Sequence, residues 1–275
     1  MREDLQGKLT KLQENLRALG SAAVAFSGGV DSTFLLKAAH DTLGDRAVAF
    51  TAASAFVPER DVEEAKAFCR EQGIRHIIRR FDVLGIEGIR CNPENRCYLC
   101  KHALFSSFVS LAEEEGLACV ADGSNLDDDG DYRPGRRALK ELAIKSPLYE
   151  AGMTKQDIRD LSAEMGLVTW NKPSFACLAS RFVYGEELTA ARLEEVNRAE
   201  EYLMRRGFRQ FRVRRHGNLA RIELLPEDMA RFMAGGLREE TAAQFKAIGF
   251  DYVTLDLLGY RTGSMNEVLQ DKEGK

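Results

Sequence analysis

The strongest constraint on what this chain can fold into lies near its start. A short apolar run, Ala22-Ala-Val-Ala-Phe26, leads directly into Ser27-Gly-Gly-Val-Asp-Ser32. Thr33 to Leu43 then reads as a helix with Phe34, Leu35, Leu36, Ala38 and Ala39 inward. A strand that is apolar at every position has no face left for water, so it belongs to a sheet covered on both sides. The same alternation repeats downstream. Ala47 to Ala52 reads as a strand and Pro58 to Gln72 as a helix opened by proline. Arg75 to Phe81 is a third strand, Lys101 to Glu115 a helix closed by Gly116, and Leu117 to Ala121 a fourth strand. Strands alternating with helices at this spacing predict an α/β fold, a parallel sheet with helices on both faces. Ligands of such sheets bind beyond the carboxyl ends of the strands. The turns after Phe26, Phe50 and Ala121 are therefore expected to face one crevice. Ahead of the first strand, Leu5, Leu9, Leu12, Leu16 and Leu19 form one helical stripe that Gly20 stops.

After about Ser146 the rhythm changes. Thr154 to Met165 reads as a capped helix, and Trp170 to Arg181 shows no clear period. Thr189 to Arg206 is a long amphipathic helix. Phe208 to Val213 and Leu219 to Leu225 read as strands joined at His216-Gly-Asn218, a hairpin signal. Two short helices follow, from Pro226 and Arg238, and Asp251 to Leu257 is a last strand. This pattern suits a smaller α+β domain, giving an expected division into 1–150 and 151–275, with the boundary between roughly 147 and 170.

Composition closes off several alternatives. The 275 residues carry 39 Lys+Arg against 43 Asp+Glu, a formal charge of −4, with 44% hydrophobic and 30% charged residues. That balance suits a globular chain and argues against one whose main task is coating nucleic acid. No apolar run approaches the roughly 20 residues of a membrane helix. The charged start, Met1-Arg-Glu-Asp-Leu-Gln-Gly-Lys8, lacks the apolar stretch of a secretory signal. Six cysteines are too few for a disulfide scaffold and read instead as thiols, metal ligands or catalysts. The expectation is a cytoplasmic protein outside the membrane.

The turn Ser27-Gly28-Gly29-Val30-Asp31-Ser32 follows a buried strand and opens a helix. Two glycines let a ligand approach the backbone, and the helix start offers unpaired N–H groups at a positive dipole end. An aspartate inside an anion site fits when a divalent cation bridges it to phosphate. The bland alternative is a tight turn capped by serine. The pattern lacks the Gly-Lys-Ser of the ordinary P-loop and the three glycines of the dinucleotide fingerprint.

This hexapeptide resembles the pyrophosphate loop of the adenine nucleotide α-hydrolase superfamily, whose members split ATP between its α and β phosphates. The resemblance implies that Ser27, Gly28, Gly29, Asp31 and Ser32 hold the pyrophosphate portion with Mg²⁺. It places Thr51 and Ala52 on the adenosine side and Gly123-Ser124-Asn125 at the closing edge. Further motifs occur in order: Arg96-Cys-Tyr-Leu-Cys-Lys101, Ala121 to Asp128, Asp131-Tyr-Arg-Pro-Gly-Arg136, Lys172 to Arg181, Arg212-Val-Arg214, Leu219-Ala-Arg-Ile-Glu223 and Gly259 to Glu267. Together they resemble the LarE family over nearly the whole chain. These are ATP-dependent sulfur transferases that act on pyridinium-3,5-biscarboxylate mononucleotide in the assembly of the nickel-pincer nucleotide of lactate racemase.

The resemblance gives Cys177 two possible roles. It attacks the acyl-adenylate and surrenders its own sulfur, or it joins Cys97 and Cys100 as the third thiolate of a 4Fe-4S cluster. Taken alone, Cys177 reads as a small buried hydrophobe, although Lys172 and Arg181 nearby in sequence could lower its pKa. Cys97 and Cys100 alone could hold zinc with Cys91 or His102, or form a disulfide. Cys69 and Cys119 fall on apolar faces and read as packing. Ser180, Arg181, Arg212 and Arg214 are expected to anchor the substrate's phosphate, since Arg212 and Arg214 alternate along a strand and share a face. A solvated basic face is the alternative. Glu223 could balance those arginines or bind metal, and Asp127 to Asp129 reads as a solvated loop beside the site. The expectation is an enzyme with ATP, Mg²⁺ and a 4Fe-4S cluster as its cofactors and a small mononucleotide as its partner, acting as a homo-oligomer, with the Cys-x-x-Cys pair favouring the cluster over the sacrificial cysteine. A tRNA thiolase, an amide-forming synthetase and a non-enzymatic ATP sensor are the rivals.

Overall fold

The structure, a computed structural model, describes residues 3–130, 135–173 and 177–266. Two compact units divide the chain at 82/83, 96/97 and 175/176. The first unit contains the helices α1 (Glu3–Leu19), α2 (Val30–Leu43), α3 (Glu59–Gln72), α4 (Arg96–Glu114), α5 (Gly135–Glu141), α6 (Pro147–Glu150) and α7 (Lys155–Glu164). Its strands are β1 (Ala22–Ala25), β2 (Ala47–Ala53), β3 (His76–Arg80) and β4 (Val120–Ala121). They pair in the order β3-β2-β1-β4, all parallel.

The apolar runs behave as a doubly covered sheet demands. Side chains alternate across a strand, so Ala22, Val24, Ala47 and Ala49 enter one core with α1, α2 and α7. Ala23, Val48 and Phe50 enter the opposite core with Phe105, Phe108 and Leu111 of α4 and Leu139 of α5. The expected α/β architecture is present. β1, β2 and β3 lie within one residue of their expected limits, whereas β4 is only Val120–Ala121, shorter than the expected run from Leu117.

The expected division at 150/151 is displaced. α7 lies against α2, and Ile158, Leu161 and Leu167 belong to the same core as β1. The change of rhythm after Ser146 marks the end of strand–helix alternation, while the first core still needs α7 to cover it. Conversely, residues 83–96 belong to the second unit. The Asn92 side-chain amide donates to the Val183 carbonyl at 2.6 Å, and the Arg90 carbonyl accepts from Leu188 N at 2.8 Å.

The second unit has α8 (Ala190–Arg205), α9 (Pro226–Met233) and α10 (Leu237–Ile248) with strands β5 (Phe211–His216), β6 (Leu219–Leu224) and β7 (Tyr252–Leu255). β5 and β6 form the expected antiparallel hairpin, and β7 joins β6 in parallel. Among the described residues, no helix is long and apolar enough to cross a membrane.

Candidate functional site

In the first unit the turns after β1, β2 and β4 do face one crevice. A cavity of about 370 Å³ is lined by Ser27, Gly29, Asp31 and Ser32 from the first turn, Thr51 and Ala52 from the end of β2 with Val57 beyond it, and Gly123 and Ser124 from the last turn. Phe50, Val57, Leu104, Phe105 and Phe108 make its apolar wall. One side can therefore take a flat apolar ring and the other an anion.

The loop is built by its own hydroxyls. Ser27 Oγ lies 3.0 Å from Ser32 Oγ, which donates to the Gly29 carbonyl at 3.3 Å. Gly28 has φ +69°, a left-handed conformation that costs other residues steric strain. Gly123 is needed for another reason: a Cβ there would lie 3.1 Å from Ser32 N and 3.3 Å from Asp31 Cβ. Asp31 opens α2 with its carboxylate at the cavity. Lys155, the first residue of α7, pairs with its Oδ2, and the buried Asn125 amide donates to its Oδ1 at 3.3 Å. Thr51 instead spends its hydroxyl on the Phe26 carbonyl at 2.7 Å and meets His76 Nε2 at 2.8 Å.

Two sequence expectations shift here. Gly28 lines a second cavity, of about 450 Å³, behind the loop. There the Lys172 ammonium donates to the Gly28 carbonyl at 3.1 Å and to Glu64 at 2.6 Å. The Asp127–Asp129 run is also more ordered than a solvated loop. Asp127 accepts from Lys155 N at 2.8 Å, Asp128 accepts from Asn125 N at 3.0 Å and lines the cavity, and Asp129 pairs with Arg136.

Cys97 and Cys100 lie in the first turns of α4, which begins at Arg96, five residues before the predicted start at Lys101. They are three apart on a helix and so share a face. Cys97 and Cys177 are exposed and Cys100 is half-buried. Among the described residues, no group of three His, Cys, Asp or Glu side chains is placed to hold a metal ion. Cys69 is buried, and burial pushes its thiol up to about 12; burial also raises Cys119. Both are packing residues.

The second unit gathers Cys177, Ser180, Arg181, Arg212, Arg214 and Glu223. Cys177 precedes a single 3₁₀ turn, and its carbonyl accepts from Ser180 N at 2.9 Å and Arg181 Nη1 at 3.3 Å. Arg212 and Glu223 are cross-strand partners, as are Arg214 and Arg221, so all four share one sheet face. That face is not solvated. Arg214 makes a two-pronged pair with the fully buried Glu223, 3.0 Å on each side, and donates to the Ser180 carbonyl at 2.8 Å and Ser264 Oγ at 2.9 Å. Arg221 also reaches Glu223, at 3.1 Å. Glu223 therefore balances arginines here. Arg181 is 1% exposed and pairs with Glu200 through two bonds of 2.8 and 2.9 Å. Burial works against the Glu200 charge, but Arg181 outweighs it and holds the carboxyl below its usual range. Arg212 donates to the Phe211 carbonyl at 2.6 Å and stands over the Tyr260 ring. Burial and the Arg181 charge lower it to about 10, so it stays protonated at neutral pH.

Comparison with known proteins narrows what these sites belong to. No family model matches the chain. It is 45% identical over 265 residues to an uncharacterised protein of Synechocystis sp., covering 96% of this chain and 99% of that one. It is 38% identical over 266 residues to the pyridinium-3,5-bisthiocarboxylic acid mononucleotide synthase of Lactiplantibacillus plantarum, covering 96% of each. The chain belongs to the LarE family. A tRNA-specific 2-thiouridylase of Rhizobium rhizogenes matches more distantly, 28% identical over 194 residues and 54% of this chain. As a LarE-family member the protein is an enzyme, an ATP-dependent sulfurtransferase with a pyrophosphate loop.

Several residues that hold these side chains in place, in one unit or the other, escaped the sequence reading. Lys155 could have been found as the first residue after the Thr154 cap, where a helix start faces the crevice. Asp122, which accepts from Ser124 Oγ and Ser146 Oγ, directly follows β4. Glu200 carried no local signal, because only its place on α8 against β5 sets it under Arg181. Asp131 to Pro134, Ser174 to Ala176 and Glu267 lie outside the described residues.

Proposed function

We propose that the enzyme adenylates a carboxylate of pyridinium-3,5-biscarboxylate mononucleotide and converts it to a thiocarboxylate, in the synthesis of the nickel-pincer cofactor of lactate racemase. The observation that carries this reading is the crevice beyond β1, β2 and β4, where Ser27, Gly29, Asp31 and Ser32 meet an apolar wall. The full-length likeness to a mononucleotide synthase supports the substrate.

In the first step a substrate carboxylate oxygen attacks the α-phosphorus of ATP and pyrophosphate leaves. The loop N–H groups, with Ser27 and Ser32, take the charge that builds on the leaving group. Ala52, Gly123, Ser124 and Asn125 complete the nucleotide site, with Thr51 holding β2 to the loop. The Asp31 carboxylate fits a Mg²⁺ ion, which would neutralise the phosphates when bound. In the second step the Cys177 thiolate attacks the acyl carbon, AMP departs with the bonding pair, and a thioester forms. Removal of the Cys177 Cα proton then breaks its Cβ–S bond. This leaves dehydroalanine at 177 and the sulfur on the substrate. Arg212 is the proposed phosphate anchor, with Ser180, Arg181 and Arg214 shaping its surroundings.

The cysteine pattern also supports a 4Fe-4S cluster held by Cys97, Cys100 and Cys177, which would supply sulfide and spare Cys177. Cys97 and Cys100 fit two thiolate positions on one face of α4. No third ligand is gathered with them among the described residues, so no step is routed through a cluster. The mass of the Cys177 peptide after turnover, read with iron and acid-labile sulfide, separates the two sources. Loss of hydrogen sulfide in iron-free protein means sacrifice; an intact peptide after many turnovers with added sulfide means a cluster. The wider reading also places the enzyme in the cytoplasm as a homo-oligomer. AMP and pyrophosphate should form only when the carboxylate substrate is present. A protein that binds ATP and never releases AMP would be a sensor, and tight tRNA retention on a filter would restore the thiolase rival.

A further inference from the structure

We propose that Lys172 is a positioning residue of the phosphate loop, fixing the Gly28 carbonyl so that the Gly29 N–H is aimed at the nucleotide's phosphates. This rests on the pyrophosphate-loop reading and assigns a residue that the motif does not contain. A peptide unit is planar and its C=O and N–H point in opposite directions. Whatever holds the Gly28 carbonyl therefore sets where the Gly29 N–H points. Lys172 holds it at 3.1 Å from the side of the second cavity, and Gly29 lies on the wall of the nucleotide cavity. Among the described residues the Gly29 N–H donates to Ser27 Oγ over a long 3.4 Å, a bond that a phosphate oxygen can replace at little cost.

Lys172 is itself anchored. Arg159 of α7 donates to the Trp170 carbonyl at 2.8 Å and to the Lys172 carbonyl at 3.2 Å, and Glu64 of α3 accepts from the ammonium at 2.6 Å. The ammonium reaches Gly28 from the side on which a cavity of about 450 Å³ opens behind the loop. Gly28, at φ +69°, is the residue that most needs a brace, since glycine has the most freedom to lose. Gly28 is buried, whereas the Glu64 side chain is 58% exposed. The carbonyl contact is thus the better shielded of the two and the stronger brace.

The test is calorimetric binding to the full chain with three probes: Mg·ATP, Mg-pyrophosphate and adenosine. Lys172→Met should weaken ATP and pyrophosphate about tenfold while leaving adenosine unchanged, the loss expected for one charge-assisted contact. Lys172→Arg should recover most of that loss. Equal weakening of adenosine would make the effect a general lesion of the fold and overturn the proposal, as would wild-type pyrophosphate affinity in Lys172→Met. Should Lys172→Met fail to fold, Glu64→Gln decides: a loss of about twofold to threefold confined to the phosphate-bearing probes supports the brace, and none overturns it. If the wild type binds adenosine but neither phosphate probe, the pyrophosphate-loop reading itself fails.

Discussion

The loop Ser27–Ser32 and the strand β5 are both rich in groups that suit an anion, and they handle charge in opposite ways. The loop exposes backbone N–H groups and hydroxyls to a cavity and keeps its one carboxylate, Asp31, half-exposed between Lys155 and Asn125. In the second unit Arg181 and Arg214 are taken from water and paired with Glu200 and Glu223, which are themselves fully buried. To accept a phosphate, a loop of neutral dipoles gives up only weak bonds among its own hydroxyls and N–H groups. A buried arginine–carboxylate pair has already paid its desolvation, and an incoming anion must compete with the carboxylate. Arginine count alone therefore does not locate a phosphate site.

Breaking the second region should cost most. Glu200→Ala leaves Arg181 charged and uncompensated in the core, and should lower stability by about 3–5 kcal/mol in urea unfolding. A loss under about 1 kcal/mol would mean that Arg181 finds water or another partner. The same pair has a pH signature. Because Glu200 is held below its usual range, its stabilisation is complete above the unfolded value near 4.3 and disappears as pH falls through the lower folded value. Wild type should therefore lose stability in acid more steeply than Glu200→Ala.

Asp31→Asn should do the reverse, sparing the fold and stopping chemistry. Adenylation should fall by at least about 100-fold, roughly 2.7 kcal/mol, in a pyrophosphate-release assay. The melting temperature should hold. Normal AMP production would remove the loop from the mechanism.

Gly28→Ala tests how far the loop depends on backbone rather than side chains. A left-handed conformation costs an L-residue roughly 1–2 kcal/mol, to be seen as weaker pyrophosphate binding or a lower unfolding midpoint. Unchanged values in both would show that the loop relaxes. Thr51→Val should have the smallest effect, about 1 kcal/mol of stability for the lost bond to the Phe26 carbonyl, with ATP affinity nearly unchanged. A large loss of ATP affinity would return Thr51 to the nucleotide site.

The sequence by itself determined the parallel sheet and the position of the loop, because both are local statements. Apolar runs such as Ala22–Phe26 leave a strand no exposed face, and Gly28-Gly29 before a helix allows the positive φ and close backbone approach that such a turn needs. It also determined that Arg212 and Arg214 share a face, through the alternation of a strand. What that face looks at was decided by tertiary structure. Glu223 arrives from the neighbouring strand and Ser264 from beyond β7, while Glu200 reaches Arg181 from α8. The same holds for Lys155 and Lys172, each more than a hundred residues from the loop group it holds. Local pattern reports periodicity and turn chemistry, which neighbouring residues impose on one another. Charge pairing depends on which distant elements pack together, and in this chain α7, α8 and the stretch before Lys172 settle it.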